Sequence, residues 1–347
     1  MKNILVVGGA GFVGSHVALR YLNSGYHVHI ADSLTRNGAR ANYQMLTEHA
    51  RASGSTLTFH HLDIRISRDV ESVFRCSKAE LIVHAAAQVA VTTSITDPRL
   101  DFEVNTLGTF NLLEALRLHA PEAFFIYAST NKVYGGMEDV AVDEEPKRYR
   151  YRDYPEGLSE ARTLDFHSPY ACSKGAADQY VHDYFRIYGL RTSVFRQSCI
   201  YGTHQFGVED QGWIAWFTIA RVLAKPVTIY GTGKQVRDIL WVEDLVDAYH
   251  AAWTLGKAGS VFNMGGGAEN SLSLLELVDL LDQLHPTNTR HQFGETRPGD
   301  QPVYIANANH ARRELNWKPK VSPEAGIRKL YKWVFDNQSL IKNVLGN

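Results

Sequence analysis

Short apolar strands alternating with amphipathic helices predict an α/β fold: a doubly wound parallel sheet with a smaller C-terminal α/β lobe. Three observations carry this. The chain opens with Asn3-Ile4-Leu5-Val6-Val7, turns through a glycine-rich stretch at 8–14, and continues as a helix. The strand–helix alternation then repeats as far as residue 128. Beyond residue 196 it becomes irregular, which marks a second lobe.

The 347 residues, 44% hydrophobic and 21% charged, can bury one large core and a smaller one. A net charge of -1 and the lack of a Lys/Arg run argue against a nucleic-acid partner. The three cysteines, Cys76, Cys172 and Cys199, have no CxxC spacing. Neither a disulfide framework nor a metal site is expected from them. No stretch approaches 18 apolar residues, and the chain enters a strand without a signal-like leader. No membrane partner is expected, and the expected location is the cytoplasm.

In order, Gly8, Gly11 and Gly14 sit between the first strand and a helix over 15–22. Glycine permits the tight turn and lets backbone N–H groups approach a pyrophosphate at a helix N-terminus. The second strand, 26–31, is closed by Asp32. A carboxylate there accepts both hydroxyls of an adenosine ribose and repels a 2′-phosphate, so it favours NAD over NADP. The strand over 58–62 runs into Asp63-Ile64, placed to reach the adenine. The strand over 81–84 runs into Ala85-Ala86-Ala87-Gln88, whose small residues leave room for a cofactor. The strand over 124–128 precedes Ser129-Thr130-Asn131. These candidates all fall at carboxyl ends of strands, where such sheets bind ligands.

Residues 143–166 read either as a surface excursion or as a flap, since they lead into Tyr170. Pro169 starts a helix through about 188. On it Tyr170 and Lys174 share one face. An ammonium one turn away is expected to lower the tyrosine pKa and make it a base for a sugar hydroxyl. A strand at 191–196, a helix opened by Asp210-Gln211-Gly212-Trp213, and a hairpin at 231–238 follow. Helices are expected over 243–255, 273–284 and 323–335, with a loop at 297–300. The expected division is a cofactor domain at 1–196, with a return near 237–262, and a lobe at 197–236 and 263–347.

Gly-x-x-Gly-x-x-Gly at 8–14, Asp32, Asp63-Ile64, Asn105-x-x-Gly108-Thr109, Thr130-x-x-Val133-Tyr134-Gly135, Tyr170-x-x-x-Lys174 and Arg237-Asp238 occur in order. Together they resemble the extended short-chain dehydrogenase/reductases that act as nucleotide-sugar epimerases and dehydratases. The resemblance implies a Rossmann-type fold and a nucleotide-diphosphate sugar as partner. It implies Tyr170 as acid–base, Lys174 as its helper on the nicotinamide ribose, and Thr130 on the reacting hydroxyl. Around NAD it implies Gly8, Gly11, Phe12, Val13, Gly14, Asp32, Ser33, Asp63, Ile64, Ala85, Ala86, Ala87, Gln88 and Asn105, besides Tyr170 and Lys174 themselves. Around the substrate it implies Thr92, Thr130, Asn131, His167, Cys199, Gln211, Gly212, Trp213, Gln235, Arg237, Arg297 and Asp300. Arg237 and Arg297 match arginines that contact the diphosphate. A homo-oligomer, dimer or tetramer, is implied through helices 97–119 and 170–188.

Two departures matter. Dehydratases of this family carry Asp-Glu after the threonine, where this chain has Asn131-Lys132. Cys199 stands where many members have an asparagine that contacts the substrate. The stretches 88–94, 164–170, 210–213 and 233–238 resemble a branch that inverts C2 of CDP-sugars. The residues alone leave C2 and C4 open, so a UDP-sugar 4-epimerase is the alternative, and a non-catalytic NAD sensor is a second.

Overall fold

A computed structural model of the chain describes residues 2–286, 291–296 and 301–346. The backbone gathers into two compact units. Met1–Thr130, Ser168–Arg196 and Val246–Phe262 make the first; Asn131–His167, Gln197–Leu245 and Asn263–Asn347 make the second.

The first unit begins β1 (Asn3–Val7), α1 (Phe12–Asn23), β2 (His27–Asp32), α2 (Ala39–Ser53), β3 (Leu57–His61), α3 (Ser67–Ser77) and β4 (Leu81–His84). A short α4 (Val91–Thr96) follows. The long helix expected over 97–119 forms as a continuous helical run of α5 (Pro98–Phe102), a π-helical turn over Glu103–Leu107, and α6 (Gly108–His119). Asp97 starts α5 by accepting from Leu100 N at 3.0 Å, with Pro98 at the first position. The π turn then rotates Asn105 and Thr106 into the interior, where both are buried. The strand β5 (Phe124–Thr130) closes this run.

The chain next enters the second unit as an antiparallel pair, β6 (Val142–Glu144) and β7 (Tyr149–Tyr151). It re-enters the first as α7 (Pro169–Tyr188) and β8 (Thr192–Gln197). As the sequence indicates, α7 has Pro169 in its first turn; Ser168 Oγ accepts from Ala171 N at 3.2 Å, and Gly189 ends the helix in the left-handed region.

Then come β9 (Cys199–Tyr201), α8 (Trp213–Val222), β10 (Val227–Tyr230), β11 (Val236–Trp241), α9 (Val242–Thr254) and β12 (Val261–Met264). The last elements are β13 (Ser271–Ser273), α10 (Leu274–Leu284), β14 (His291–Gly294), β15 (Val303–Tyr304), α11 (Asn309–Leu315), α12 (Pro323–Asp336) and α13 (Gln338–Leu345).

The large sheet has the order β12-β8-β5-β4-β1-β2-β3. β1 pairs in parallel with both β2 and β4. The strand order therefore reverses at β1/β4, the switch point at which doubly wound sheets bind ligands. Helices α3, α6 and α7 cover it through a core that includes Phe74, Leu112, Leu116, Phe125, Val181 and Val194. No helix among the described residues is long and apolar enough to cross a membrane.

The second unit differs from the sequence reading in two ways. The hairpin expected at 231–238 does not form, because β10 pairs with β14 while β11 pairs with β13, β15 and β9. Residues 131–167 were expected within 1–196 but belong to the second unit. Their apolar side chains explain it: Val133, Tyr134, Met137, Tyr151 and Leu158 share a core with Val236, Val303, Tyr304 and Ile305. Tyr151 also donates to Val303 O at 2.8 Å, so this segment is anchored core as well as surface.

Candidate active site

At the switch point Gly8 has φ +80, and a Cβ there would meet Ala86 N at 2.5 Å. Only glycine fits, and the backbones after β1 and β4 are brought together. The first turn of α1 leaves the N–H groups of Phe12, Val13 and Gly14 without intrahelical partners, as every helix start does. Asp32, at the end of β2, accepts from Ala10 N at 3.0 Å and Leu34 N at 2.8 Å. Burial pushes its carboxyl up, against the pull of those backbone bonds. It therefore ties β2 to the glycine turn and presents a carboxylate beside it; Ser33 follows. This cradle of glycine backbone, helix start and carboxylate fits the diphosphate and ribose of NAD.

Other expected cofactor residues also hold the local structure. Asp63 is gripped by Arg65, with Nη2 at 2.6 Å from Oδ2, which holds its carboxyl below the usual range. Ile64 is buried, and its carbonyl accepts from Asn111 Nδ2 at 2.9 Å. Asn105 exchanges bonds with the Gln88 backbone at 3.0 and 2.9 Å. Gln88 Nε2 reaches Ala90 O at 2.8 Å and Asp101 Oδ1 at 2.9 Å. Together they fix the course of Ala85-Ala86-Ala87-Gln88. Thr92 is exposed on α4.

Thr130, Tyr170 and Lys174 are all buried, and the Thr130 and Tyr170 side chains are hydrogen-bonded. Lys174 Nζ donates to Ala128 O at 2.6 Å and lies 4.2 Å from the centre of the Tyr127 ring. Burial acts on both groups against the expected lowering of the phenol. Burial pushes the Tyr170 phenol up to about 12, against the Thr130 hydrogen bond and the Arg36 charge. Burial pulls Lys174 down to about 7, against the carboxylates of Asp178 and Asp101. Desolvation is thus the largest influence on both groups, and the positive charge acting on the phenol is that of Arg36.

Sequence reasoning missed Arg36, Asp101 and Asp178. One signal was available: Tyr170, Lys174 and Asp178 recur every four residues along one face of α7. Asp178 accepts from Ser129 Oγ at 2.7 Å and is clamped by Arg196 at 2.9 and 3.0 Å. Thr130, the neighbour of Ser129, is thereby fixed relative to the Tyr170 helix.

Within the second unit, Arg237 Nη1 donates to Val236 O at 2.8 Å and Gln301 O at 2.7 Å. Lys132 Nζ reaches Gln301 Oε1 at 3.4 Å. Asn131 opens the 3-10 turn Asn131–Tyr134. Cys199 Sγ accepts from Trp213 Nε1 at 3.4 Å, and burial pushes its thiol up, against the nearby charges of Arg237 and Lys132. That argues against a thiolate nucleophile. Gly212 precedes α8 with φ 75, Gln211 is half-buried beside it, and Gln235 Nε2 donates to Tyr230 O at 2.6 Å. His167 pairs with Asp165 at 3.0 Å. Arg297 and Asp300 lie outside the described residues. No group of His, Cys, Asp and Glu among the described residues could hold a metal ion.

A glycine cradle at the switch point, with a buried tyrosine and lysine beside the end of β5, defines an enzyme that works with NAD on a hydroxyl-bearing substrate. The chain belongs to the GDP-mannose 4,6 dehydratase family, whose profile matches residues 5–330. These are NAD-dependent nucleotide-sugar epimerases and dehydratases. The chain is 44% identical over 337 residues to a CDP-paratose 2-epimerase of Salmonella typhi, covering 95% of this chain and 98% of that one. Among solved structures it resembles Pal from Bacillus thuringiensis (33% identity, TM-score 0.83, 98% of this chain and 100% of that one). It also resembles a UDP-glucose 4-epimerase of Thermus thermophilus in complex with NAD (29% identity, TM-score 0.80, 96% and 99% covered).

Proposed function

We propose that the chain inverts C2 of a CDP-hexose of the paratose/tyvelose type by transient oxidation. One observation carries the reading: the buried Thr130, Tyr170 and Lys174 are accompanied by Asn131-Lys132, without the carboxylate pair that dehydration uses. The identity to the Salmonella enzyme supports the choice of sugar.

NAD, which the Gly8–Gly14 turn and Asp32 would hold, would supply the hydride acceptor and donor for the reacting carbon. Tyr170 takes the proton of the reacting hydroxyl and later gives it back. Arg36 supplies positive charge that favours the phenolate, and Lys174 lies one turn along α7 from Tyr170. Thr130 shares its hydrogen bond with the phenol and orients the hydroxyl. In the second unit, Arg237 and Lys132 give a positive character suited to a diphosphate.

We also read the protein as cytoplasmic and homo-oligomeric. Phe110 and Leu118 on α6, with Tyr180, Phe185 and Tyr188 on α7, are exposed on the helices expected to pair.

The test is a CDP-sugar deuterated at C2, run beside UDP-sugars. The label should stay on C2 of the inverted product, and no deuterium should enter from D₂O. Label lost to solvent overturns hydride transfer. Inversion at C4, or turnover of UDP-sugars alone, overturns the substrate and supports a UDP-sugar 4-epimerase.

A further inference from the structure

Gln301 stands in the second unit just before β15 and is 1% exposed. It has no part in the chemistry above, yet it bonds to both cations named there. Its backbone carbonyl accepts from Arg237 Nη1 at 2.7 Å. The next carbonyl, of Pro302, accepts from Val236 N at 2.9 Å, so this stretch is pinned along the start of β11. The Gln301 side chain donates from Nε2 to Gly135 O, and its Oε1 accepts from Lys132 Nζ at 3.4 Å.

An amide has one donating end and one accepting end. A carbonyl can only accept and an ammonium can only donate, so Gly135 and Lys132 fix the Gln301 amide in one orientation. The anchor is firm. Gly135 has φ +76, and a Cβ there would meet Asp165 O at 2.4 Å, so the turn admits only glycine. One buried residue thus gathers a guanidinium from β11 and an ammonium from the 3-10 turn Asn131–Tyr134 within hydrogen-bond reach of itself. Two like charges gathered on a neutral residue repel each other, and an anion that contacts both relieves the repulsion.

We propose that Gln301 is a positioning residue for the substrate's diphosphate: its backbone carbonyl holds Arg237 and its side-chain amide holds Lys132, so that both cations engage the same phosphates. This rests on the diphosphate role read above for Arg237. It adds Lys132 as a direct contact and Gln301 as the residue that sets the pair.

The test is binding of CDP, UDP and CMP to the NAD-loaded protein. Gln301→Met keeps the side-chain length and the backbone carbonyl but removes both amide bonds. It should weaken CDP by about three- to tenfold. KM for the sugar nucleotide should rise by the same factor, and turnover should change by less than about twofold. Lys132→Met should weaken CDP by about tenfold or more, and CMP by less. In the Lys132→Met background, Gln301→Met should cost no further affinity, because it acts through the ammonium. A merely structural glutamine would weaken binding equally in both backgrounds; that additivity overturns the proposal, as does a fall in turnover at unchanged KM. Should Gln301→Met fold poorly, Gln301→Glu decides. Its carboxylate would compete with the phosphates for both cations, so CDP should weaken by about tenfold or more and CMP by less. Unchanged CDP binding in Gln301→Glu or in Lys132→Met overturns the proposal. A wild type that binds UDP but not CDP refutes the nucleotide chosen above and leaves this test intact on UDP and UMP, since the phosphates are the same. A wild type that binds neither diphosphate overturns both.

Discussion

Two buried arginines, Arg196 in the first unit and Arg237 in the second, are held in different ways. In the first, Asp178 and Arg196 form a buried ion pair on helix and strand. Side chain answers side chain. In the second, Arg237 and Asp238 are adjacent on β11 and both buried. Arg237 is held by the carbonyls of Val236 and Gln301. Asp238 accepts from the Ser198 hydroxyl and from Gly267 N, and burial still pushes it up to about 7. The difference follows from the tasks. A proton-transfer site needs fixed charge states, which paired side chains give. A planar guanidinium fork can give some donors to carbonyls and still suit a phosphate, the role proposed above for Arg237.

The strongest way to break this comparison is at the phenol. Tyr170→Phe should lower turnover by about 10²-fold or more, the usual range for a positioned acid–base group. The fold should be kept, since the ring stays and only the hydroxyl bonded to Thr130 is lost. Near wild-type turnover would remove Tyr170 from the chemistry.

The next largest effect concerns the ion pair itself. Asp178→Ala leaves Arg196 buried without its carboxylate and Ser129 without its acceptor. Breaking such a pair costs about 3–5 kcal/mol. Denaturant unfolding should show a loss of that order, and Asp178→Leu with Arg196→Met should recover much of it. A loss below about 1 kcal/mol, the range of an exposed pair, would mean that the pair is not what stabilises the first unit.

This contrast also explains what the sequence made legible. The glycine turn, the strand ends and the start of α7 were readable because their causes are local: a positive φ at Gly8, a proline and a cap at Ser168. Tyr170 and Lys174 were readable because helical spacing alone puts them on one face. The hairpin at 231–238 was misread because the partner of β10 is β14, some way along the chain, and nothing near Gly231 says so. Residues 131–167 were misassigned because their core partners, Val303 to Ala306, come from the far end of the sequence. Asp101 was not singled out in the sequence. It is buried and bonded to Gln88 and to Asn105 of the π turn, and a π turn leaves no periodic signal.

The smallest expected effect is the sharpest test of the second unit. Arg237→Ala should raise KM by roughly ten- to a hundredfold, the worth of about 1.5–3 kcal/mol for a hydrogen bond to a charged group. Turnover should change little, since a phosphate clamp acts on ground state and transition state alike. The carbonyls of Val236 and Gln301 would lose a donor, so melting should fall slightly in parallel. Two measurements separate these contributions. Binding of CDP should weaken much more than binding of CMP, because only CDP has the second phosphate. Arg237→Lys should restore the charge without the planar fork, and so recover only part of the affinity. Equal weakening of CDP and CMP would place Arg237 at the first phosphate or the nucleoside. A large fall in turnover at unchanged KM would move it into the chemistry, and the division of labour between the two units would no longer hold.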